Sequence, residues 1–374
     1  MSAAKAVLKR AIEARAFPGC AVAVGDVDAI LWLRGFGHLD YSKTSPVNEH
    51  TLYDLASLTK VVGTTAVVMT LVRDGRLALN DQVVQHVPEF GRNASRRRVT
   101  IEHLLTHSSG LPAGRPFYLT KRGFEAVLST AFTTPLEAAP GTRARYSDIG
   151  FMILGEVAAR AGRQRQEHLE RTLVFKPLGM QETLRNPSVA LRERTAPTEE
   201  ISTSTATVAP RSRGTSPNQQ TPTFVHGVVH DENARAADGL TGHAGLFSTA
   251  TDLSLFARET LRALSGRSSV FPKQLMQLFV VRRQVIKDSS RGLGWDTPSG
   301  HSSAGDLFSR KSFGHTGFTG TSMWIDPERG IYLVLLTNRV HPSRANRQIS
   351  QVRRDLADAV VRDLEKASAS DARR

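Results

Sequence analysis

A chain of 374 residues, 40% hydrophobic and 22% charged, has enough apolar side chains for a large core in one large or two medium domains. Its 49 Lys and Arg against 35 Asp and Glu give +14. With no nucleic-acid motif, no aromatic interleaving and one dense basic cluster at residues 92–98, that charge describes an arginine-rich surface favouring anionic substrates, not a nucleic-acid interface.

No apolar run reaches membrane-spanning length, and the lone Cys20 excludes an internal disulfide. Residues 2–16 predict a short amphipathic helix, ended by Phe17-Pro18-Gly19. The stretch lacks the continuous apolar segment and cleavage site of a signal peptide. As it stands the sequence therefore reads as cytoplasmic, and as periplasmic or extracellular if a leader was removed. Residues 20–25 and 29–37, around Asp26-Val27-Asp28, predict a β-hairpin.

After a polar connection comes Ser57-Leu58-Thr59-Lys60, heading an apolar, small-residue run stopped by Arg73-Asp74-Gly75. The run predicts a buried helix. Three residues apart on one helix, Ser57 and Lys60 share a face, so the amine can reach the hydroxyl. A serine hydroxyl needs such a neighbour to become a nucleophile, and a helix start favours developing negative charge. The four-letter pattern is short, and Ser2-Ala3-Ala4-Lys5 also fits it; only context separates the two.

Thr100 caps a predicted short helix carrying His103 and His107. Their four-residue spacing would suit a metal, but with no carboxylate beside them they read as core or cap histidines. Residues 138–148 form a turn-rich loop presenting Tyr146 ahead of a helix at 149–161. Residues 195–223, rich in Thr, Ser, Pro and Gln, predict a long, mobile surface insertion. His226, His230, Asp231 and His243 then cluster among glycines. Their spacing matches no metal motif, and a polar network lining a pocket is the favoured reading.

Thr251-Asp252 predicts the cap of a helix at 253–263. The final third returns to strands: one leading into His315-Thr316-Gly317, one at 321–325, a turn at 326–330 and an apolar strand at 331–336. A helix over 344–366 closes the chain. Strands at both ends and helices between them predict an α/β (α+β) fold. Residues 1–56 and 290–374 would build an antiparallel sheet flanked by terminal helices, with residues 57–289 inserted as a mainly helical part. The active cleft would fall between the two.

Ser57-Leu58-Thr59-Lys60, Tyr146-Ser147-Asp148 and His315-Thr316-Gly317 resemble, in order and separation, motifs of the serine β-lactamase and penicillin-binding-protein superfamily. The similarity is greatest to its class C-like branch of esterases and D-amino peptidases, which Leu105-Thr106-His107-Ser108-Ser109-Gly110-Leu111-Pro112 also resembles. Val229-His230-Asp231-Glu232-Asn233 and Gly242-His243-Ala244-Gly245-Leu246-Phe247-Ser248 resemble the subgroup acting on muropeptides, N-acetylmuramyl-L-alanine amidases included.

The resemblance implies a β-lactamase/transpeptidase-like fold and a serine hydrolase of esterase, amidase or D,D-peptidase type that needs no cofactor or metal. Ser57 is the implied nucleophile, with Lys60 and Tyr146 sharing the proton work. The backbone N–H groups of Ser57 and Phe318 would form the oxyanion hole, and Asp148, His315, Thr316 and Gly317 would contact a small ester or amide substrate, such as a muropeptide. The second motif of that superfamily commonly ends in Asn where this chain has Asp148, which when ionised only accepts hydrogen bonds and would hold Lys60 protonated. His315 stands where β-lactamases often carry Lys, a weaker and pH-dependent anchor for a substrate carboxylate. Both departures argue against efficient antibiotic hydrolysis and for an esterase or a cell-wall peptidase or amidase. The alternatives are a non-catalytic penicillin-binding-like receptor or scaffold, and a metallohydrolase built on the 226–243 histidines.

Overall fold

The computed structural model describes residues 1–201 and 224–371. Five strands form the main antiparallel sheet: β1 (Gly19–Asp26), β2 (Ile30–Gly37), β3 (Phe313–Thr316), β4 (Ser322–Asp326) and β5 (Ile331–Thr337), in the order β2-β1-β5-β4-β3. The hairpin β1–β2 is local. The central pairing is not, because β1 zips against β5 from Cys20↔Thr337 to Asp26↔Ile331. Both central strands are covered on two faces, which explains their unbroken apolar runs.

Alternation along these strands divides the core in two. Val22, Val24, Leu333 and Leu335 pack outward on Leu8 of the first helix, Ser2–Glu13, and on Leu356 and Val360 of the last, Ile349–Asp371. Ala21, Ala23, Val334 and Leu336 face inward, in one cluster with Phe256 of helix Ala250–Leu264 and the helices of the middle of the chain. Each fully buried Val or Leu contributes about 1.5–3 kcal/mol. The first helix has no side-chain cap of its own; Asp363 of the last helix accepts from the N–H groups of Ala3 and Ala4 at 3.2 and 3.0 Å.

A second sheet is small, pairing Tyr53–Asp54 with Leu246–Ser248, and Leu246–Ser248 with Leu184–Arg185. It places the chain just before Ser57 beside the segment that follows His243.

Four expectations change. The helix after Ser57 opens with a π-helical turn, Lys60–Thr65, before continuing as Ala66–Arg73. There Gly63 leaves room for Glu170, whose Oε1 would be 2.6 Å from a Cβ at that position. Helix Ala250–Leu264 starts earlier than expected, because Thr249 and not Thr251 accepts from Asp252 N–H. The last helix starts at Ile349, since residues 342–348 are drawn into a loop by Arg344 and Asn346. Finally, the first residues of the expected insertion are packed: Thr195, Ala196 and Thr198 are buried, and Ala196 N–H bonds Leu52 O at 2.8 Å. Residues 202–223 of that insertion lie outside the described residues. Among the described residues no helix is long and apolar enough to cross a membrane.

Candidate active site

The segment before Ser57 is held in an unfavourable shape. Ala56 has φ +46°, a left-handed conformation that costs a β-carbon residue about 1–3 kcal/mol. The buried Asp54 carboxylate fixes it, accepting Ala56 N–H at 2.8 Å and His230 N–H at 2.6 Å. From the β3–β4 turn, Thr319 and Thr321 donate their hydroxyls to Asp54 O and Leu55 O at 2.7 and 2.9 Å. Gly317 makes this approach possible, because a Cβ there would collide with Leu55 O and Thr321 Oγ1. Arg353, reaching from the last helix, donates to Gly317 O and Thr321 O at 2.8 and 2.7 Å. The end of β3 is thereby stapled across the nucleophile segment.

Lys60 is fully buried and has three partners. Its Nζ donates to Ser57 Oγ and His243 O, both at 2.9 Å, and lies 2.7 Å from Asp148 Oδ1. Burial would lower the pKa of this amine; the negative charge of Asp148, then Tyr146, outweighs it, so the amine is raised and stays charged. The Tyr146 phenol lies within hydrogen-bonding reach of Lys60 and Ser57. Burial raises it above the usual tyrosine value, while the Lys60 cation works against that rise. Ser147 caps helix Asp148–Gly162 by accepting from Gly150 N–H at 3.0 Å, and donates its hydroxyl to Pro112 O at 2.6 Å.

Ser57, Tyr146, His315, Thr316, Gly317 and Phe318 line one cleft of ≈ 680 Å³. Among the described residues, neither the Ser57 nor the Phe318 backbone N–H donates to a protein acceptor. Asp148 turns its carboxylate to Lys60, the coupling that its charge implied. His315 departs from the expectation of a pH-dependent anchor. It is buried, its Nδ1 bonds Thr316 O at 2.9 Å, and its enclosed Nε2 has no partner among the described residues. Burial, with Arg291 and Lys60 nearby, pushes it well below the usual histidine value. A covered, neutral imidazole does not act as a pH-dependent anchor for a carboxylate.

The histidines of 226–243 go to separate partners. His226 Nε2 bonds Thr195 O at 2.8 Å, His230 Nε2 bonds Glu199 at 3.1 Å, and His243 Nε2 bonds Asp231 at 2.9 Å. Among the described residues no group of three or more His, Cys, Asp or Glu converges on a possible metal position. They form a polar network instead, and His230 stacks on the half-exposed Phe318 ring with centroids 5.8 Å apart. His103 is a cap histidine, its Nδ1 accepting Thr100 N–H at 3.2 Å.

Two features escape sequence reasoning. Arg339 lies over the Phe318 ring at 4.4 Å and, with Arg291, Arg344, Arg347 and Arg353, lines the cleft; the only sequence signal is arginine density around 339–354. The other is a buried support behind Lys60. Arg185 binds Glu170 through two 2.8 Å contacts and donates to Gly239 O and Ala244 O at 2.8 and 3.1 Å, flanking the His243 carbonyl.

Fold and site together define a serine hydrolase of the β-lactamase and transpeptidase type. The chain belongs to the β-lactamase family, whose model, described as "Beta-lactamase", matches residues 4–358. A protein of Salmonella agona (strain SL483) described as "Putative D-alanyl-D-alanine carboxypeptidase" is 32% identical over 319 residues, covering 80% of this chain and 72% of that one. Among solved structures, "EstCE1, a hydrolase with promiscuous acyltransferase activity" superposes with a TM-score of 0.74 at 21% identity, over 96% of this chain and 97% of that one. An octameric penicillin-binding protein homologue from Pyrococcus abyssi gives 0.73 at 20% identity, over 96% and 77%. At these identities the two structures speak for the fold.

Proposed function

We propose that the protein hydrolyses an ester or amide through an acyl-enzyme on Ser57, as an esterase or a cell-wall peptidase or amidase with little β-lactamase activity. The observation that carries this reading is the 2.9 Å bond from the buried Lys60 Nζ to Ser57 Oγ, with Ser57 lining a cleft shared with Tyr146 and Phe318. The Lys60 cation favours the phenolate form of Tyr146, and Ser57 Oγ adds to the carbonyl carbon while its proton passes to that phenolate oxygen. The N–H groups of Ser57 and Phe318 receive the oxyanion. Tyr146 returns the proton to the departing alcohol or amine, and water then releases the acid.

The division of the chain into residues 1–56 with 290–374 and residues 57–289 puts Thr316, Gly317 and Phe318 on one side of this cleft, Ser57 and Tyr146 on the other. The carboxypeptidase name of the Salmonella relative supports a peptide substrate, and the arginines of the cleft suit an anionic one. Mass spectrometry after incubation with a fluorophosphonate or a penicillin tests the nucleophile: one adduct on Ser57 is expected, and none in Ser57→Ala. A wild-type protein that turns over substrate yet never labels at Ser57 overturns the reading. A stable adduct with no turnover on p-nitrophenyl esters, D-alanyl peptides, muramyl peptides or nitrocefin would favour the receptor alternative.

Asp148→Asn removes the charge that raises Lys60. The amine then loses its proton at lower pH, and the alkaline limb of kcat/KM should move to lower pH. A profile that superimposes on wild type removes the coupling.

A further inference from the structure

Tyr146 is carried by neither a helix nor a strand, so something else must aim its oxygen. One residue grips the chain on both sides of it. His107 O accepts Arg145 N–H at 2.8 Å, and His107 Nδ1 accepts Ser147 N–H at 3.1 Å. The imidazole also packs on the phenol, with ring centroids 4.5 Å apart, and on Phe151 at 5.1 Å.

His107 is 2% exposed and sits at φ +56°, a left-handed conformation that costs most β-carbon residues and that Gly or Asn also adopts readily. Because Nδ1 accepts, the ring proton belongs on Nε2, and that buried N–H has no acceptor among the described residues. Burial and the nearby Arg291 and Lys60 cations keep the ring neutral, which preserves the acceptor. A histidine buried with one ring nitrogen unsatisfied is costly as mere core filling.

We propose that His107 is the positioning residue for Tyr146: its imidazole holds Ser147 N–H and braces the phenol so that the oxygen stays over Ser57. This rests on the reading of Tyr146 as the proton-transfer group. The test uses His107→Gly, which suits the φ but deletes the acceptor, and His107→Asn, which suits the φ and keeps an acceptor oxygen. Each is made in wild-type and Tyr146→Phe backgrounds, with circular dichroism and melting as fold controls.

For His107→Gly the expected result is a loss of about 10–100-fold in kcat with KM within about threefold. His107→Asn should recover kcat to within about fivefold of wild type, and in the Tyr146→Phe background His107→Gly should cost less than about twofold. A folded His107→Gly with wild-type kcat overturns the proposal. So does a loss that multiplies undiminished onto that of Tyr146→Phe, because a purely structural role would do that. If His107→Gly does not fold, His107→Asn decides: near-wild-type kcat supports the assignment, and a loss of tenfold or more in a folded protein overturns it. Tyr146→Phe with wild-type kcat would instead sink the acid–base reading itself.

Discussion

Tyr146→Phe is expected to lower kcat by about 10²–10⁴-fold, the range for loss of a positioned acid–base group. The substitution removes one oxygen and keeps the ring that packs on His107 at 4.5 Å and faces Lys60 Nζ at 4.9 Å. Stability should therefore change by only about 1 kcal/mol, the usual worth of one hydrogen bond. The loss should appear on esters and peptides alike, since both need a proton acceptor for Ser57 and a donor for the leaving group. Initial rates on a p-nitrophenyl ester and a D-alanyl peptide provide the check. A variant that keeps more than a tenth of wild-type kcat on both would take Tyr146 out of the chemistry and leave Lys60 as the base.

The second large effect is on stability. Arg185 and Glu170 are 4% and 1% exposed and paired through two contacts of 2.8 Å. Arg185→Met leaves the Glu170 charge buried with no cation beside it and only Gln166 Nε2 donating to it at 2.9 Å, a loss of about 3–5 kcal/mol. Adding Glu170→Leu removes that stranded charge and should restore much of the stability, because apolar packing is an adequate substitute for a buried ion pair. Activity should not return with it. Arg185 also holds Gly239 O and Ala244 O, and between them His243 O accepts from Lys60. Urea unfolding read beside kcat separates the two effects; a double variant regaining both would show that the pair serves stability alone.

What the sequence discloses about this site is what lies within one turn or one strand. Ser57 and Lys60 are legible because helical spacing alone brings them together, and the caps at Thr100 and Ser147 are local for the same reason. The apolar runs of β1 and β5 announce buried strands, although nothing in either announces that they are partners. Arg185 and Glu170 are 15 positions apart, and their target is a pair of backbone carbonyls, which carry no side-chain signature. The histidines at 226, 230 and 243 read correctly as polar network and not as metal ligands, but two of their three partners lie outside the cluster. His226 and His230 are sent by the fold to Thr195 and Glu199, while His243 stays within the cluster on Asp231. His315 is found by its motif, yet its neutrality follows from burial and from Arg291 and Lys60, none of which is visible in three letters. The π-helical turn at Lys60–Thr65 is equally silent, because an apolar run reads alike for either helix type.

The pairing of β1 with β5 also sets a timetable. The Ser57–Lys60 turn leaves the ribosome well before the Thr319 and Thr321 hydroxyls that brace it and the Arg353 that locks them. Pairing strands so far apart in sequence is slow, since β1 must wait for β5 before the central strands can zip. Until then β1 offers an unpaired edge that invites aggregation or chaperone binding. Synthesis and assembly thus withhold reactivity from the nascent chain, because the hydroxyl is in place long before the architecture that would make it dangerous.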